Sequence, residues 1–194
     1  MTVKLKPFSL DRVVSAVEKV RQRLLRAAAA LEAARVPYAI AGGNAVALWV
    51  SRADEAAVRN TQDVDVLLRR DDFSTAKTAL ESAGFVHQNL GGLDIFLDGP
   101  AGKPRDAVHI IFANEKIWSG EPATNPDVSA SESAGAYRVL SLEALVQIKL
   151  TAFRRKDQVH LLDMIEVGIL DESWVHKFPG ELGRRLQTLL DNPE

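Results

Sequence analysis

The sequence predicts an α/β (α+β) fold, in which short strands alternate with helices and the C-terminal segment is helical. Three observations lead to this prediction. A short apolar run at residues 38–41 stops at Gly42-Gly43, and a helical pattern follows it. Residues 63–68 begin with acidic and apolar side chains that alternate with the period of a strand. After Ser141 the apolar residues recur at helical spacing in successive segments.

The length and composition limit the possible classes of protein. The chain has 194 residues, enough for one domain, and its formal net charge of -2 gives no sign of a broad nucleic-acid or membrane-binding surface. It contains no cysteine, which excludes disulfides, zinc–thiolate sites and thiol catalysis. No apolar run approaches the roughly 20 residues that cross a bilayer, and residues 1–7 are basic without a secretory apolar core. We therefore expect a soluble cytoplasmic protein with no membrane partner.

A long amphipathic helix is predicted near the N-terminus. Ser9 is a suitable N-cap, and apolar residues follow at helical spacing over residues 13–31. The helix is expected to end before Pro37, because the residue before a proline is biased away from helix. Basic residues, which include Arg23, lie mostly on the other faces and are expected to be solvated.

Turn and cap signals bound the remaining elements. The predicted elements are a helix from Asp71 or Asp72 to Gly84, strand-like residues 85–97 broken at Gly91-Gly92, a strand at residues 105–112, a surface connection at 114–136, and helices that open at Ser141, span 157–167, surround Trp174 and span 181–190. We expect three segments within one compact unit. They are an N-terminal amphipathic helix at residues 1–36 that packs on the core, a sheet core at 37–136 and a helical segment at 137–194.

The acidic strand is the most informative part of the sequence. Successive side chains of a strand point to opposite faces, so Asp63 and Asp65 share one face and lie roughly 6.5–7 Å apart. Neighbouring carboxylates repel unless a cation lies between them, which predicts a divalent-metal site. The alternative is a solvent-facing pair on an edge strand, although Leu67 and Leu68 favour a central strand. Thr61 lies two residues before Asp63 and would therefore share the face of the two aspartates. It either points into the same cleft or is simply a strand-forming residue.

The order of these motifs resembles the nucleotidyltransferase superfold, in particular the minimal and abortive-infection-type bacterial nucleotidyltransferases. Their pattern is an apolar strand, Gly-Gly or Gly-Ser, a helix, and a strand that carries Asp-x-Asp. The matching residues here are Ile-Ala-Gly-Gly-Asn at 40–44 and Thr-Gln-Asp-Val-Asp-Val at 61–66. The segment from Lys149 to Asp157 also resembles the Lys…Arg-x-Lys-Asp segment of these relatives. The resemblance extends over residues 36–165.

This resemblance implies a nucleotidyltransferase-like mixed β-sheet flanked by helices. It also implies a metal-dependent transfer of a nucleoside monophosphate from an NTP, with ATP expected, to a hydroxyl acceptor. Asp63 and Asp65 would hold Mg²⁺ or Mn²⁺, which offsets the charge of the phosphates. The expected nucleotide contacts are Gly42, Gly43, Asn44, Thr61 and Lys149. A strand that passes through Gly-Gly into a helix also presents backbone N–H groups that suit an anion.

One position departs from the pattern of catalytic relatives, which usually carry a third acidic residue between apolar residues of a later strand. The matching triplet is Val108-His109-Ile110, so histidine stands where an acid is expected. Asp106 has the opposite parity to His109 and could replace the acid only through a bulge. Asp94, from the neighbouring strand, is a second possible replacement.

His109 has three interpretations. A neutral imidazole, with an ordinary pKa of about 6.5, suits a general base. As a nitrogen ligand it would disfavour Mg²⁺ and favour Mn²⁺ or another transition metal. As a structural histidine it would mark a site that has lost its chemistry. The predicted catalytic residues are therefore Asp63, Asp65 and His109.

Three further groups of charged residues have ordinary interpretations beside functional ones. Lys149 lies on an apolar helix and either reaches the cleft or extends its ammonium group to water. The run Arg154-Arg155-Lys156 is expected to be a solvated helix end. Asp157, His160 and Asp163 have the spacing of a metal triplet on one helical face, but a partly exposed salt-bridging face is the expected state.

Two functions from different classes follow. The first is an enzyme, a metal-dependent nucleotidyltransferase whose acceptor is a small molecule, a protein side chain or an RNA end. The second is a regulatory module that binds nucleotide or metal without chemistry, such as a toxin–antitoxin-like partner, and His109 in the third-acid position favours it. A direct RNA-binding role is not indicated by the charge balance. No motif specifies the acceptor or the oligomeric state.

Overall fold

The computed structural model describes residue 7 and residues 9–192, and strands and helices alternate along it. The helices are α1 (Leu10–Ala33), α2 (Gly42–Ser51), α3 (Phe73–Ser82), α4 (Leu142–Ala152), α5 (Arg155–Glu166) and α6 (Glu181–Asp191). The strands are β1 (Tyr38–Ala41), β2 (Val64–Leu68), β3 (Val86–Leu90), β4 (Leu93–Leu97), β5 (Val108–Phe112), β6 (Ser131–Ser133) and β7 (Arg138–Leu140). Short 3₁₀ helices lie at Glu55–Ala57, Arg70–Asp72, Pro104–Asp106 and Glu172–Lys177.

Within the described residues the strands form one mixed sheet of seven, in the order β3-β4-β5-β2-β1-β7-β6. β2 runs parallel to β5 and β1 runs parallel to β7, whereas the other neighbours are antiparallel. The acidic strand β2 therefore lies inside the sheet, and the alternative of an edge strand is wrong. Because β2 and β5 are in parallel register, Asp65 lies directly beside His109.

Helices cover both faces of the sheet. On one face α1 and α3 pack over the alternate residues of the central strands, among them Val64 and Val108. On the other face α2, α4, α5 and α6 surround a second core that includes Leu67. Asp65 and His109 belong to this second face, because side chains alternate along each strand.

Helix α1 begins where the sequence predicts. The hydroxyl oxygen of Ser9 accepts a hydrogen bond from the backbone N–H of Arg12 at 3.3 Å. The C-terminal half of the helix buries Leu24 and Leu31 against the sheet, whereas its first turns leave apolar side chains such as Leu10 exposed. The predicted packing on the core therefore involves the second half of the helix.

One basic residue of α1 is buried, although the sequence predicts a solvated face. The guanidinium group of Arg23 donates to the carboxylate of Asp98 at 3.2 Å and to the carbonyl oxygen of Gln62 at 3.0 Å. A buried charge is tolerated where a counter-ion and a carbonyl satisfy its donors. Arg23 thereby connects α1 to the residues that lead into the acidic strand.

The end of the sheet differs from the sequence prediction. The predicted surface connection at residues 114–136 contains β6, and β7 lies in the segment expected to be helical. Each strand is three residues long, too short to show a period of two, and it forms because its partners pair with it: Ile40 with Val139, and Ser131 with Leu140. The strand predicted at residues 105–112 begins only at Val108, because the residues before it form a 3₁₀ turn.

The division into segments at residues 36 and 136 stays a prediction. Residues 1–6, 8 and 193–194, which belong to the first and last of these segments, lie outside the described residues. In the part of the chain that the structure describes, every helix is too short or too polar to span a membrane.

Candidate functional site

The turn between β1 and α2 forms one side of the site. Gly42 has a left-handed backbone (φ +62°) and is the first residue of α2. A Cβ atom at Gly42 would overlap the carboxylate of Asp65, and one at Gly43 would lie 2.9 Å from the hydroxyl oxygen of Thr61. The N-cap residue Ala41 makes no side-chain cap bond, and the first turn of α2 has no acidic residue. The N–H groups of this turn therefore suit an anion, as those of a helix N-terminus do.

Three side chains with metal-binding atoms converge beside this turn. Asp65 lies on β2, Asp63 immediately precedes that strand, and His109 lies on β5. Nδ1 of His109 is 3.7 Å from Oδ1 of Asp65 and 3.9 Å from Oδ2 of Asp63. Among the described residues these three offer one ligand atom each, and the atoms lie within 4.8 Å of one another. The structure therefore brings the predicted acid pair together with the histidine.

The imidazole ring of His109 is held by its other nitrogen. Nε2 lies 2.8 Å from the carbonyl oxygen of Pro104, and because a carbonyl only accepts, Nε2 donates. The Asp65 carboxylate raises the pKa of His109, burial opposes this, and the Pro104 carbonyl and Asp63 raise it again, so the net pKa lies above its ordinary value. Protein groups alone thus favour a charged ring beside the two carboxylates.

Asp63 is held by three neighbours. The Thr61 hydroxyl donates to its Oδ1 at 2.5 Å, and Nζ of Lys156 lies 3.5 Å from the same oxygen. The side-chain amide of Asn44 donates to the Asp63 backbone carbonyl at 2.7 Å. Burial raises the pKa of Asp63, but the Thr61 hydrogen bond and the Lys156 charge outweigh it, and the net pKa is lowered. The carboxylate is therefore ionised near neutral pH.

The donor set of the cluster fits a divalent cation. Carboxylate oxygens and imidazole nitrogens are ordinary ligands of divalent metals. Two atoms that each bind one ion at about 2.1 Å are at most about 4.2 Å apart, and both distances from Nδ1 of His109 are shorter than this. The residues that the sequence predicts as ligands, Asp63 and Asp65, therefore lie in a cluster that could hold a metal.

Neither candidate replacement for the third acid belongs to this cluster. Asp106 lies in the 3₁₀ turn before β5. Asp94 is 2.8 Å from Nε2 of His87 and alternates with Ile95, the residue of β4 that pairs with His109. Its side chain consequently leaves the sheet on the opposite face from His109. The possibilities that either acid restores the missing carboxylate are wrong.

Lys149 lies in the wall of the cleft and does not extend to water. Its side chain is 4 % exposed, and Nζ is 3.0 Å from Oδ1 of the buried Asp157. Nε of Arg154 lies 2.8 Å from the other carboxylate oxygen. Burial raises the pKa of Asp157, but the hydrogen bond from Arg154 and the charge of Lys149 outweigh it, and the net pKa is lowered. The alternative of a solvent-extended ammonium group is wrong, whereas the phosphate contact stays a prediction.

The face of α5 that carries Asp157, His160 and Asp163 is buried, not partly exposed as the sequence predicts. Asp163 pairs with Arg59 at 2.7 Å, whereas Nδ1 of His160 has no hydrogen-bond partner among the described residues. Burial, assisted by nearby lysines, lowers the pKa of His160 to about 4. The face is buried because α2, α4 and α6 pack around α5, which the spacing within α5 does not reveal.

The basic run at residues 154–156 is exposed at the start of α5, as predicted for a solvated helix end, and two of its residues nevertheless contact the candidate site. Lys156 contacts Asp63, and Arg154 binds Asp157 and lines the cleft. Their position in the Lys…Arg-x-Lys-Asp segment was a signal for this role. Trp118 also lines the cleft and is 65 % exposed, and no sequence motif singles it out.

The predicted site residues divide between two adjacent surfaces. A cleft of about 270 Å³ opens between β5 and α4. Its walls include Gly42, Asp65, His109 and Lys149. Asn44 and Thr61 instead line a neighbouring groove against α1. Asp63 connects the two surfaces, because it contacts residues of both.

Comparisons with known proteins agree with this geometry at the level of fold. No family model and no curated protein matches the sequence. An antigenic nucleotidyltransferase-like protein from Paracoccidioides brasiliensis aligns over 91 % of this chain and 88 % of its own, with a TM-score of 0.54 and 20 % identity. The antibiotic-resistance factor ANT(2'')-Ia aligns over 93 % of this chain and 90 % of its own, with a TM-score of 0.50 and 13 % identity.

This chain has the nucleotidyltransferase fold. The mixed sheet with flanking helices and the C-terminal helices, which the sequence predicts, are confirmed. In the nucleotidyltransferase fold of this chain, the Gly-Gly turn and the acid pair adjoin each other across β1 and β2, where Ala41 pairs with Asp65.

Proposed function

We propose that this protein is a metal-dependent nucleotidyltransferase that moves a nucleoside monophosphate from an NTP, with ATP expected, to a hydroxyl acceptor. One observation carries the proposal. Asp63, Asp65 and His109 converge within 4.8 Å of one another beside the N-terminus of α2. A cation site next to a set of backbone N–H groups is suited to a polyphosphate, because both neutralise its charge.

The transfer forms one bond and breaks one. The acceptor hydroxyl oxygen attacks the α-phosphorus of the NTP, the bond from that phosphorus to the β-phosphate oxygen breaks, and pyrophosphate leaves with the electron pair. The hydroxyl proton passes to a carboxylate oxygen of the acid pair and then to solvent. Mg²⁺ or Mn²⁺, held by Asp63 and Asp65, would offset negative charge on the phosphate oxygens. The protein itself supplies mainly position and charge.

The nucleotide contacts are assigned to the two sides of the acid pair. The N–H groups at Gly42 and Gly43 are available to phosphate oxygens. Lys149 lines the cleft, and because Arg154 also neutralises Asp157, its ammonium group can be shared with a phosphate. Asn44 and Thr61, which now bind the backbone and side chain of Asp63, are assigned to the edge of the nucleotide site.

The test is a transfer assay with each α-labelled NTP, in Mg²⁺ and in Mn²⁺, with a small polyol, RNA or the protein itself as acceptor. We expect pyrophosphate release or label transfer from the wild type and none from Asp65→Asn. Asp71→Asn makes the same chemical change at an exposed position outside the site and is expected to stay active. Activity that survives Asp65→Asn in a folded protein would contradict the assigned site.

A second function is favoured by His109 in the third-acid position. Under this second function the protein binds nucleotide or metal but transfers no nucleoside monophosphate. It acts instead as a regulatory module, such as a toxin–antitoxin-like partner. Calorimetry with NTP and metal would then show binding while the transfer assay shows none. Restoration of transfer by His109→Asp would support this alternative, because the substitution supplies the missing carboxylate.

A further inference from the structure

The ring of His109 presents a lone pair to the acid pair whenever it is neutral. Its Nε2 is engaged as a donor to the Pro104 carbonyl at 2.8 Å, which fixes the tautomer that leaves Nδ1 unprotonated. A ligand histidine commonly donates its other ring N–H to a carbonyl in this way, because the hydrogen bond sets the orientation of the ring. The Pro104 carbonyl therefore gives His109 the arrangement of a metal ligand.

The surroundings of Nδ1 also suit a ligand better than a structural histidine. The His109 side chain is 30 % exposed and faces the carboxylates of Asp63 and Asp65. Its Nδ1 makes no hydrogen bond within 3.5 Å of either carboxylate, since the separations are 3.7 and 3.9 Å. These separations are too long for direct hydrogen bonds, and each is within the roughly 4.2 Å that two ligand atoms of one ion can span.

A nitrogen ligand changes which ion such a site selects. Two carboxylates alone suit the hard cation Mg²⁺, which takes oxygen ligands. Imidazole nitrogen raises the affinity for first-row transition ions relative to Mg²⁺. Lys156, whose Nζ is 3.5 Å from Asp63, adds positive charge that opposes every cation to a similar extent and so does not alter this selection.

We propose that Nδ1 of His109 is the third protein ligand of the cation held by Asp63 and Asp65, and that it makes the site select a transition-metal ion over Mg²⁺. The proposal rests on the proposed function, in that it assigns a property to the same cation site. The role of His109 concerns metal binding alone, and metal binding is measured without any transfer of nucleotide.

The first experiment is pulsed electron paramagnetic resonance of the wild-type protein with one equivalent of Mn²⁺, at constant pH and without nucleotide. The expected result is modulation from a directly bound imidazole nitrogen. The modulation should persist in His176→Gln, which removes an exposed histidine remote from the cluster, and disappear in His109→Gln. Bound Mn²⁺ without nitrogen modulation in the wild type would overturn the proposal, whatever the variants do.

The second experiment measures selectivity by displacement of bound Mn²⁺ with Mg²⁺. Residues that only hydrogen-bond to a metal ligand contribute roughly 10-fold or more to metal affinity. A direct ligand should contribute at least as much, so the preference for Mn²⁺ over Mg²⁺ should fall by at least about 10-fold in His109→Asp. This variant keeps three donors, so it should still bind metal. An unchanged ratio of the two affinities would contradict the proposal.

The two proposals fail in different ways. If Asp65→Asn binds Mn²⁺ like the wild type, the cation site is wrongly placed and the proposed function fails with it. If Asp65→Asn loses Mn²⁺ but nitrogen modulation is missing in the wild type, only the role of His109 fails. Thermal unfolding of each variant without metal shows whether it is folded before its binding is compared.

Discussion

Gly42 and Asp65 lie so close together that no side chain fits between them. The first carbon of any side chain at position 42 would overlap the Asp65 carboxylate. The two residues are brought together by the pairing of β1 with β2, in which Ala41 lies opposite Asp65. Strand pairing therefore fixes the position of the Gly42 turn, with its N–H groups, relative to Asp65. Asp65 is one of the acids that we propose to bind the cation.

Gly42→Ala is expected to destabilise the protein and to abolish Mn²⁺ binding. A left-handed backbone costs a residue with a Cβ about 1–2 kcal/mol, and displacement of the carboxylate adds about 1–3 kcal/mol. Gly84→Ala is the matched control, because Gly84 also has a positive φ (+87°) but nothing lies within 4 Å of its added Cβ. Denaturant unfolding and Mn²⁺ titration measure both effects. Equal losses in the two variants would show that the backbone conformation alone is responsible.

Thr61→Val is expected to lower the free energy of unfolding by about 1.5–3 kcal/mol, since a hydrogen bond to a charged group contributes that much. Its hydroxyl donates to Oδ1 of Asp63 at 2.5 Å. Thr78→Val serves as the control, because that hydroxyl donates only to the Ser74 carbonyl on an exposed helix. The control should change stability by no more than about 0.5 kcal/mol. Indistinguishable unfolding curves for the two variants would argue against a strong bond at Asp63.

Lys149→Met is expected to destabilise the protein by about 3 kcal/mol, the lower end of the range for breaking a buried ion pair. The lower end applies because Arg154 still neutralises Asp157. Lys177→Met removes a lysine from an exposed pair with Glu143 and should cost no more than about 1 kcal/mol. Chemical denaturation at neutral pH compares them. If Lys149→Met proves as mild as the control, the buried pair does not stabilise the fold.

His160 is expected to make the protein sensitive to acid between about pH 6.5 and pH 4. Its pKa is lowered from 6.5 to about 4 in the folded protein by burial, with Lys149 and Lys156 adding to the effect. Asp157 and Asp163 oppose that effect. In this window the unfolded chain binds the proton and the folded one does not, so stability falls as the pH drops.

The loss over that window should be about 3 kcal/mol, because each unit of pKa corresponds to about 1.4 kcal/mol. His160→Leu should remove this part of the acid sensitivity, whereas His176→Gln, at an exposed position, should keep it. The measurement is the free energy of unfolding at several pH values between 7 and 4. A His160→Leu curve parallel to that of the wild type would show that His160 is protonated equally in both states.

Local signals were sufficient for much of the fold. Ser9 caps α1, Ser141 caps α4, and the hydroxyl of each accepts a backbone N–H as its position predicts. Gly84 and Gly91-Gly92 occupy turns. In each case the determining interaction lies within about four residues of the signal, so it is visible in the sequence.

Other features depended on packing between distant segments. The burial of His160 follows from the neighbours of α5, and β7 exists because β1 offers it a partner. The burial of Arg23 requires Asp98, far along the chain. These interactions leave no periodic trace in the segments themselves, since three residues or one side chain are too few to show a pattern.

For the candidate site, the sequence by itself determined that Asp63 and Asp65 point to the same side and that a Gly-Gly turn precedes a helix, because both follow from backbone geometry over a few residues. Asp63 itself immediately precedes β2, which begins at Val64. Only the tertiary structure decided that β5 lies in register beside β2, which places His109 against Asp65, and that α5 brings Lys156 to Asp63. The physical reason is that strand register and helix packing are set by burial summed over the whole sheet, which no single segment specifies.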